Sequence, residues 1–248
     1  MLVQFLRRMK TSNATSDFST LSKHWPQLST THTPSNPVNV DIAMSIISQS
    51  FSSSGSEPYF GEPVTHEEHA LQCATLAQTA GFNEDVIVAA FLHDIGHICA
   101  PDDAPHMDTD GGKDVGVVDH ESIGKELLQL LGFSTFVTDL VESHVPSKRY
   151  LVSIDEEYRS GLAEDSKRSL IFQGGIMTKD EVQNYESDPE MLDIKTMFRT
   201  WDDEGKKENA YTPPIEHFLP MVERHLNREW EIRNTRTTEE EIQIESIR

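Results

Sequence analysis

Histidines and aspartates recur through the middle of the sequence at positions where helical spacing turns them inward. His93 and Asp94 stand side by side at the end of an apolar segment, in FLHDIGH. An ionised aspartate in such a segment is costly unless it is paired or bound to a metal. Imidazole and carboxylate ligands together suit iron, manganese or zinc, and one carboxylate can bridge two ions. On these grounds the candidate metal ligands are His69, His93, Asp94, His120, His144 and Asp202.

Each candidate, taken alone, has an ordinary explanation. A single histidine on an apolar helix face, such as His144 after Leu140 and Val141, is more often a hydrogen-bonded core residue than a ligand. Taken together, however, the candidates would each need a separate buried partner, so a shared metal site is the better interpretation. Asp203 neighbours Asp202, and on spacing alone either aspartate could be the ligand.

The segment YFGEPVTHEEHALQ, at 59–72, places a tyrosine and a glutamate just ahead of one candidate ligand. Thr65, with a glutamate three residues later, forms a capping-box pattern that predicts a helix from residue 66, with His69 in its first turn. A plain linker would more often contain Ser, Asn or Gly at these positions. Tyr59 and Glu62 are therefore either an ordinary N-terminal loop or part of a lid over the site.

The elements that must position these residues are predicted to be helices. Apolar residues recur at helical spacing, capping side chains precede several segments, and strand-like alternation is scarce, so the predicted fold class is all-α. Gly81, Gly132 and Pro146 are expected to end three of the helices. The predicted helices cover 41–51, 66–79, an apolar central segment capped by Asn83, 121–131, 134–144, a segment begun by a Thr178–Glu181 capping box, 191–206 and 215–227.

The composition excludes some classes of protein. The chain has 248 residues, of which 36% are hydrophobic, and no apolar run is long enough to predict a membrane span. The net charge of −21 repels phosphate backbones, so nucleic-acid binding is not expected. A small anionic substrate would need locally placed cations, and His97, Lys148 and Arg199 lie at helical spacing from candidate ligands. Cys73 and Cys99 are expected to be buried and reduced.

The two ends of the chain differ from the middle. Residues 1–37 are basic and rich in Ser and Thr, which is typical either of a disordered tail or of an organelle transit peptide. The protein is therefore expected in the cytoplasm, or in mitochondria if this segment is a transit peptide. Residues 38–228 are expected to form one domain and 229–248 an acidic tail. The stretch 99–119 is long for a connector, and such loops are usually functional or mobile.

The ordered set of His69, His93–Asp94 and Asp202 resembles the signature of the HD-domain superfamily, an all-α metal-binding fold. Within it, the sequence is similar to the mixed-valence di-iron HD oxygenases that cleave the carbon–phosphorus bond of 1-hydroxy-2-aminoethylphosphonates; myo-inositol oxygenase is a more distant relative. The resemblance spans about 38–227, and HD hydrolases do not need its Tyr-x-x-Glu or QGG segments. It is carried by YFGEPVTHEEHALQ, FLHDIGH, DHESIG, SHVPSKRYL, SLIFQGGIM and RTWDDEGK.

The resemblance implies an HD-domain helical bundle that holds two iron ions, Fe(II) and Fe(III). Its register favours Asp202 over Asp203 as the ligand. One ion would be held by His69, His93, Asp94 and Asp202, and the second by Asp94 as a bridge, His120 and His144, with Tyr59 on its open position until substrate arrives.

The resemblance also implies a substrate site beside the metals. His97, Lys148 and Arg199 would hold the phosphonate, and Glu62 would pair with the ammonium group of the substrate. The turn at Gln173 would form a wall of the pocket, although its two glycines are also typical of a simple helix end. The residues expected to take part in catalysis are Asp94, His97 and Lys148.

The implied reaction uses dioxygen as co-substrate and yields phosphate with glycine or glycine betaine, so the substrate amine is either primary or trimethylated. The expected partner is this small organophosphonate, with no obligate protein partner. The alternative enzyme is an HD-domain phosphohydrolase, in which a metal-activated water attacks a small phosphate ester. A third hypothesis, an HD module that senses a small molecule, is disfavoured because a sensor need not keep both metal positions.

Overall fold

In the computed structural model the protein is almost entirely helical over the residues that the structure describes, 31–101, 103–108 and 114–247. Within these ranges the chain forms eleven α-helices and one two-stranded antiparallel sheet, which confirms the predicted all-α class. The helices are α1 (Val40–Ser54), α2 (His66–Thr79), α3 (Glu84–Leu92), α4 (Ile95–Cys99), α5 (His120–Leu131), α6 (Thr135–Ile154), α7 (Glu156–Gly161), α8 (Glu164–Phe172), α9 (Lys179–Tyr185), α10 (Pro189–Glu204) and α11 (Ile215–Ile247). The strands are β1 (His106–Asp108) and β2 (Asp114–Val117).

Helix α3 forms the centre of the core. Its residues from Val86 to Leu92 are all buried, because the helix is apolar on every side. It packs on α2, α6, α10 and α11, and α6 in turn packs on α5 and α10. Stacked rings of Phe51, Phe91 and Phe218 join α1, α3 and α11. The helices that carry the candidate ligands therefore share one core.

Several helix boundaries follow from capping side chains that the sequence predicts. Helix α2 begins at a complete capping box, in which the Glu68 N–H donates to Thr65 Oγ1 and the Thr65 N–H donates to Glu68 Oε2. Asn83 Oδ1 accepts the Val86 N–H at the start of α3. Helix α5 ends at Gly132, whose φ of 94° suits glycine. These predictions are confirmed.

Two predicted helix ends are wrong. Helix α6 runs through Pro146 to Ile154, although Pro146 was expected to end it at 144. Burial of Ser147, Lys148 and Tyr150 beyond the proline favours continuation, and the Ser147 hydroxyl donates to the Ser143 carbonyl within the same stretch. Helix α11 runs to 247 instead of 227, because no Gly or Pro follows Pro220 to stop it.

The stretch 99–119 contains a hairpin that the sequence does not predict. Strand β1 pairs with β2, with His106 opposite Val117. Met107, Val115 and Val117 are buried, and β2 packs on α4 and α8. The strands are three and four residues long, too short for alternation to distinguish them from a loop. The short helices α4, α7 and α8 were not predicted either.

Most of the predicted N-terminal extension, 1–37, lies outside the described residues, so its two interpretations and the localisation stay predictions. The domain limits at 38 and 228 also stay predictions, although the Val38 N–H donates to the Leu130 carbonyl and α11 crosses 228 without a break. Across the described ranges, no helix combines the length and apolarity that a membrane crossing requires.

A glycine allows α4 to lie directly against the first turn of α5. A Cβ on Gly96 would lie 1.9 Å from the His120 carbonyl oxygen and 2.9 Å from the Gly124 nitrogen. No side chain fits in this space, so the crossing fixes the position of His120 relative to the end of α3.

We therefore expect Gly96→Ala to lower the free energy of unfolding by about 1–3 kcal/mol or more, the usual cost of overpacking. Gly161→Ala is the matched control, because a Cβ there meets nothing within 4 Å and alanine is the better helix former. Urea denaturation of the two variants measures the difference. Equal stability of both variants would contradict the close crossing.

Candidate metal centre

Four buried histidines, each from a different helix or helix end, meet in two pairs. His69 lies in the first turn of α2 and His93 directly follows α3, and their Nε2 atoms are 3.1 Å apart. His120 begins α5 and His144 lies in α6, and their Nε2 atoms are 2.9 Å apart. The structure thus brings together four of the six candidate ligands.

The outer nitrogen of each of these rings is fixed by a backbone carbonyl. Because a carbonyl only accepts, each Nδ1 carries the proton and each neutral ring points the Nε2 lone pair at its partner. Two lone pairs cannot bond to each other, so each pair needs a shared cation, either a proton or a metal ion. The Nδ1 atoms of His69, His93, His120 and His144 lie 2.8, 2.9, 3.2 and 2.6 Å from the carbonyl oxygens of Gly205, Ala90, Val117 and Val141 respectively.

Asp94 stands between the two pairs and offers one oxygen to each. Its Oδ2 lies 3.4 Å from His69 Nε2 and 3.3 Å from His93 Nε2. Its Oδ1 lies 3.6 Å from His120 Nε2 and 3.5 Å from His144 Nε2. This is the arrangement in which one carboxylate can bridge two cations.

Asp202 supplies a second carboxylate to the first pair. Its Oδ1 lies 3.3 Å from His69 Nε2 and is buried without a hydrogen bond, while its Oδ2 accepts from Arg199. A buried oxygen without a donor is costly unless a cation satisfies it. Asp203 also accepts from Arg199, and in addition its Oδ2 accepts from the Tyr158 hydroxyl at 2.6 Å. Of the two aspartates that spacing left open, Asp202 is the one that faces the histidines.

The two carboxylates favour positive charge between the histidines of the first pair. Burial alone would lower the pKa of His93, but the adjacent Asp94 and the nearby Asp202 raise this pKa to about 10. In the second pair, burial and the neighbouring His120 lower the pKa of His144 to about 3, so this ring is neutral and its lone pair is free to bind. The donors therefore fit two metal ions bridged by Asp94, and an ion would displace the proton on the first pair.

Tyr59 contacts the same carboxylate from the loop before α2. Its hydroxyl donates to Asp94 Oδ2 at 2.7 Å, and its ring stacks on His69 with centroids 4.2 Å apart. Burial and Asp94 raise the pKa of Tyr59, so the phenol is protonated in this arrangement. The resemblance placed Tyr59 on the second ion, whereas the oxygen that it contacts faces the first pair. Its place on either ion stays a prediction.

A cavity opens beside the histidine pairs, and the predicted cation Lys148 lines it. The Lys148 ammonium donates to Ser169 Oγ at 2.7 Å and to Gln173 Oε1 at 2.9 Å, and both of these partners are neutral. Burial, together with the nearby Arg199, lowers the pKa of Lys148 to about 7. The lysine therefore faces the cavity with a charge that no carboxylate balances by a direct contact among the described residues.

His97 also lines the cavity, but it is a neutral donor and not the expected cation. Its Nδ1 accepts the Val117 N–H at 3.1 Å, which leaves the proton on Nε2. Its ring stacks on His120 with centroids 3.8 Å apart. Burial and the neighbouring His120 hold the pKa of His97 well below its ordinary value. The ring can therefore donate one hydrogen bond to a ligand.

The two remaining predicted substrate residues, Glu62 and Gln173, also line the cavity. Glu62 is half-buried in the turn after Tyr59, and within the described residues it has no ion pair. Gln173 caps α8 and is followed by Gly174 and Gly175, with φ of 94° and 68°. Both interpretations of this turn apply together, because the glycines end α8 and the turn also forms a wall.

Some cavity residues were missed by the sequence reasoning. Lys206 gave a usable signal, since it follows Asp202 by four residues, and its Nζ lies 3.5 Å from Asp202 Oδ1. The others lie on the unpredicted hairpin or on α8, where no periodicity indicates a shared site. These residues are Met107, Val115, Asp165, Ser166 and Ser169.

Comparisons with known proteins agree with this site. A family model described as HD domain matches residues 67–173. A 1-hydroxy-2-(trimethylamino)ethylphosphonate dioxygenase (glycine-betaine-forming) of Leisingera caerulea is 41% identical over 178 residues, which cover 72% of this chain and 87% of that protein. A hydroxymethylphosphonate dioxygenase of Gimesia maris is 36% identical over 67% of this chain and 80% of its own. An uncharacterized protein of Acanthamoeba polyphaga mimivirus is 33% identical over 70% and 77%.

The helical fold and the paired histidines around an HD dipeptide define an HD-domain protein. Both relatives with a named activity are dioxygenases, and the first of them is matched over most of its length. The chain belongs to the family of these HD-domain oxygenases.

We expect the protein to bind two Fe(II) ions per chain under anaerobic conditions, because each histidine pair shares one oxygen of Asp94. His144→Ala should lower the number to about one, since it removes a ligand from the second pair only. His217→Ala, on the exposed face of α11, is the control and should keep both ions. Equilibrium dialysis with an iron assay measures the number, and two ions in His144→Ala would contradict the assignment.

Proposed function

We propose that the protein is a di-iron oxygenase that uses dioxygen to cleave the C–P bond of a 1-hydroxy-2-(trimethyl)aminoethylphosphonate. The products would be phosphate and glycine, or glycine betaine when the amine is trimethylated. The ions would be iron in a mixed-valence Fe(II)/Fe(III) state, and the substrate would be a small molecule. The relative of Leisingera caerulea supports the trimethylated substrate by its name.

One observation carries this proposal: each oxygen of Asp94 faces its own pair of histidines. A centre for a single ion would not need the second pair, whose Nε2 atoms are held 2.9 Å apart by carbonyls behind them. A second buried carboxylate, Asp202, faces the first pair with an oxygen that accepts no hydrogen bond and lies 3.5 Å from Lys206 Nζ. The chain therefore carries the donors for two ions beside one cavity.

The cavity offers donors for a phosphonate close to both pairs. Lys148 would bind a phosphonate oxygen through its ammonium, and His97 would donate its Nε2 proton. Arg199 lines the same cavity but also pairs with Asp202 and Asp203, so it would mainly fix the aspartates and lend positive charge nearby. These groups would orient the substrate with its hydroxyl-bearing carbon toward the histidine pairs.

The amine of the substrate would face the loop that carries Tyr59. Glu62 provides a carboxylate without an ion pair in the described residues, and Phe60, from the same loop, provides an aromatic ring that also lines the cavity. A quaternary ammonium is attracted by aromatic faces as well as by a carboxylate. Gly61, with a φ of 86°, allows the chain to turn sharply between them. The loop would thus bind the amine, while Lys148 and the other donors bind the phosphonate.

An oxygenase fits this substrate better than the alternative phosphohydrolase. A C–P bond offers water no good leaving group, whereas oxidation at the carbon that bears the hydroxyl allows the bond to break. Iron, when bound, would supply the redox chemistry with dioxygen that this oxidation requires. The protein would contribute the positioning of the substrate, neutralisation of its charge and exclusion of water from a buried site.

Phosphate release with and without oxygen tests the proposal. We expect the iron-loaded protein to release one phosphate per dioxygen consumed from 1-hydroxy-2-(trimethylamino)ethylphosphonate or its primary-amine analogue, and none without oxygen. Partial oxidation should give a mixed-valence signal in electron paramagnetic resonance. Hydroxymethylphosphonate, which has no amine, tests whether the amine is needed. A small phosphate ester tests whether the protein is a hydrolase. Release from the ester alone, without oxygen, would support the phosphohydrolase.

The lowered pKa of Lys148 predicts how activity depends on pH. Because this pKa is about 7, the ammonium is charged below that pH and neutral above it. We expect kcat/KM for the phosphonate to fall as the pH rises through about 7, since this ratio reports the free enzyme. Lys148→Arg should remove the fall, because arginine stays charged.

Lys125→Arg is the control for that change, because Lys125 pairs with Glu142 away from the cavity. The substrate titrates identically in all three proteins, so the ratio of the profiles isolates Lys148. A profile of Lys148→Arg that falls at the same pH as the wild-type profile would assign the titration to another group.

A further inference from the structure

A single side-chain amide fastens the turn after α10 to helix α2. Gln72 is buried, and its Nε2 donates to the Lys207 carbonyl at 3.1 Å. The Lys207 N–H donates back to Gln72 Oε1 at 3.0 Å. This reciprocal pair, which we call the Gln72 clasp, joins residues that are 135 positions apart in the sequence.

The clasped turn supplies the carbonyl that orients a candidate metal ligand. Gly205 accepts the Nδ1 proton of His69 at 2.8 Å, and its own N–H donates to the Trp201 carbonyl at the end of α10. Gln72 follows His69 by three residues on α2, so both side chains project from the same face of the helix. The clasp and the His69 hydrogen bond therefore hold the same turn at two neighbouring points.

His69 differs from the other three histidines in this respect. His93, His120 and His144 each donate Nδ1–H to the carbonyl three residues before them, so local backbone orients their rings. His69 depends on a carbonyl 136 residues away. Its orientation is thus the only one of the four that rests on a contact between distant parts of the chain.

The turn also approaches α2 too closely for any side chain at its first residue. A Cβ on Gly205 would lie 2.6 Å from Cys73 Sγ and 3.3 Å from His69 Nδ1. The φ of Gly205 is −75°, which any residue can adopt, so the limit is space and not backbone strain. The close approach is what brings the carbonyl within reach of the ring.

We propose that Gln72 is a positioning residue for the first metal position, acting through Gly205 and His69. The proposal rests on the two-ion centre of the proposed function. Without the clasp, the turn can move away from α2, and the His69 ring loses the acceptor that fixes its tautomer and orientation. Groups that orient a metal-binding histidine in this way typically change metal affinity by about 10–100-fold.

The test compares Gln72→Met with Gln78→Met. Methionine keeps the length of the side chain but can neither donate nor accept a strong hydrogen bond. Gln78 lies on the same helix and contacts exposed His217, so its variant controls for the substitution itself. Anaerobic Fe(II) titration of the metal-free proteins should show two sites. In Gln72→Met, one of these two sites should bind Fe(II) with an affinity about 10–100-fold lower than in wild type. The other site, and both sites of Gln78→Met, should keep wild-type affinity.

A second measurement needs no metal. In nitrogen-15 histidine spectra of the metal-free protein, the Nδ1 proton of His69 should exchange slowly in wild type and Gln78→Met, and rapidly in Gln72→Met. If Gln72→Met does not fold, Gly205→Ala displaces the same turn from the other side and should give both effects.

Wild-type affinity and a protected His69 proton in Gln72→Met would overturn the proposal and leave Gln72 as a packing residue. Equal weakening of both sites would also overturn it, because the clasp touches only the first pair. If wild type binds fewer than two Fe(II) ions, the two-ion centre fails instead, and the exchange of the His69 proton still decides whether the clasp orients this ring.

Discussion

The whole site depends on one buried carboxylate whose two oxygens face different partners. Asp94 lies between α3 and α4, and its φ of −101° and ψ of 14° are not those of an α-helix. An isolated charge at this depth would be too costly to keep. The histidine pairs on either side satisfy it, and four helices must converge to deliver them. The packing of the helices is therefore constrained by the need to place histidines on both sides of Asp94.

That constraint explains which features the sequence predicts well. Ligands on helices must recur with the helical period, and a ligand in the first turn needs a cap before it, as Thr65 precedes His69. The helix starts and the candidate ligands could therefore be predicted from local patterns together with a family resemblance. The choice of Asp202 over Asp203 could not be made from spacing, because it depends on the distant Tyr158, whose hydroxyl donates to Asp203 and not to Asp202.

Features that depend on distant contacts escaped prediction for the same physical reason. Pro146 normally ends a helix, but the buried residues beyond it keep α6 intact, and Lys148 would not reach the cavity otherwise. The paired strands at 106–108 and 114–117 are too short to have a period, yet Met107 and Val115 on them line the cavity. Gln72 resembles any other polar residue on a helix until the turn at Lys207 is placed against it.

The cations of the cavity divide by the charges that they contact, and this division assigns their roles. Arg199 contacts two aspartates, and Lys206 lies 3.5 Å from Asp202, so the field of both is largely balanced within the protein. Lys148 instead contacts a hydroxyl and an amide, and burial lowers its pKa to about 7. An anion that enters the cavity gains most from the cation that is not already balanced. In a chain with a net charge of −21, one such lysine supplies attraction that the surface as a whole does not.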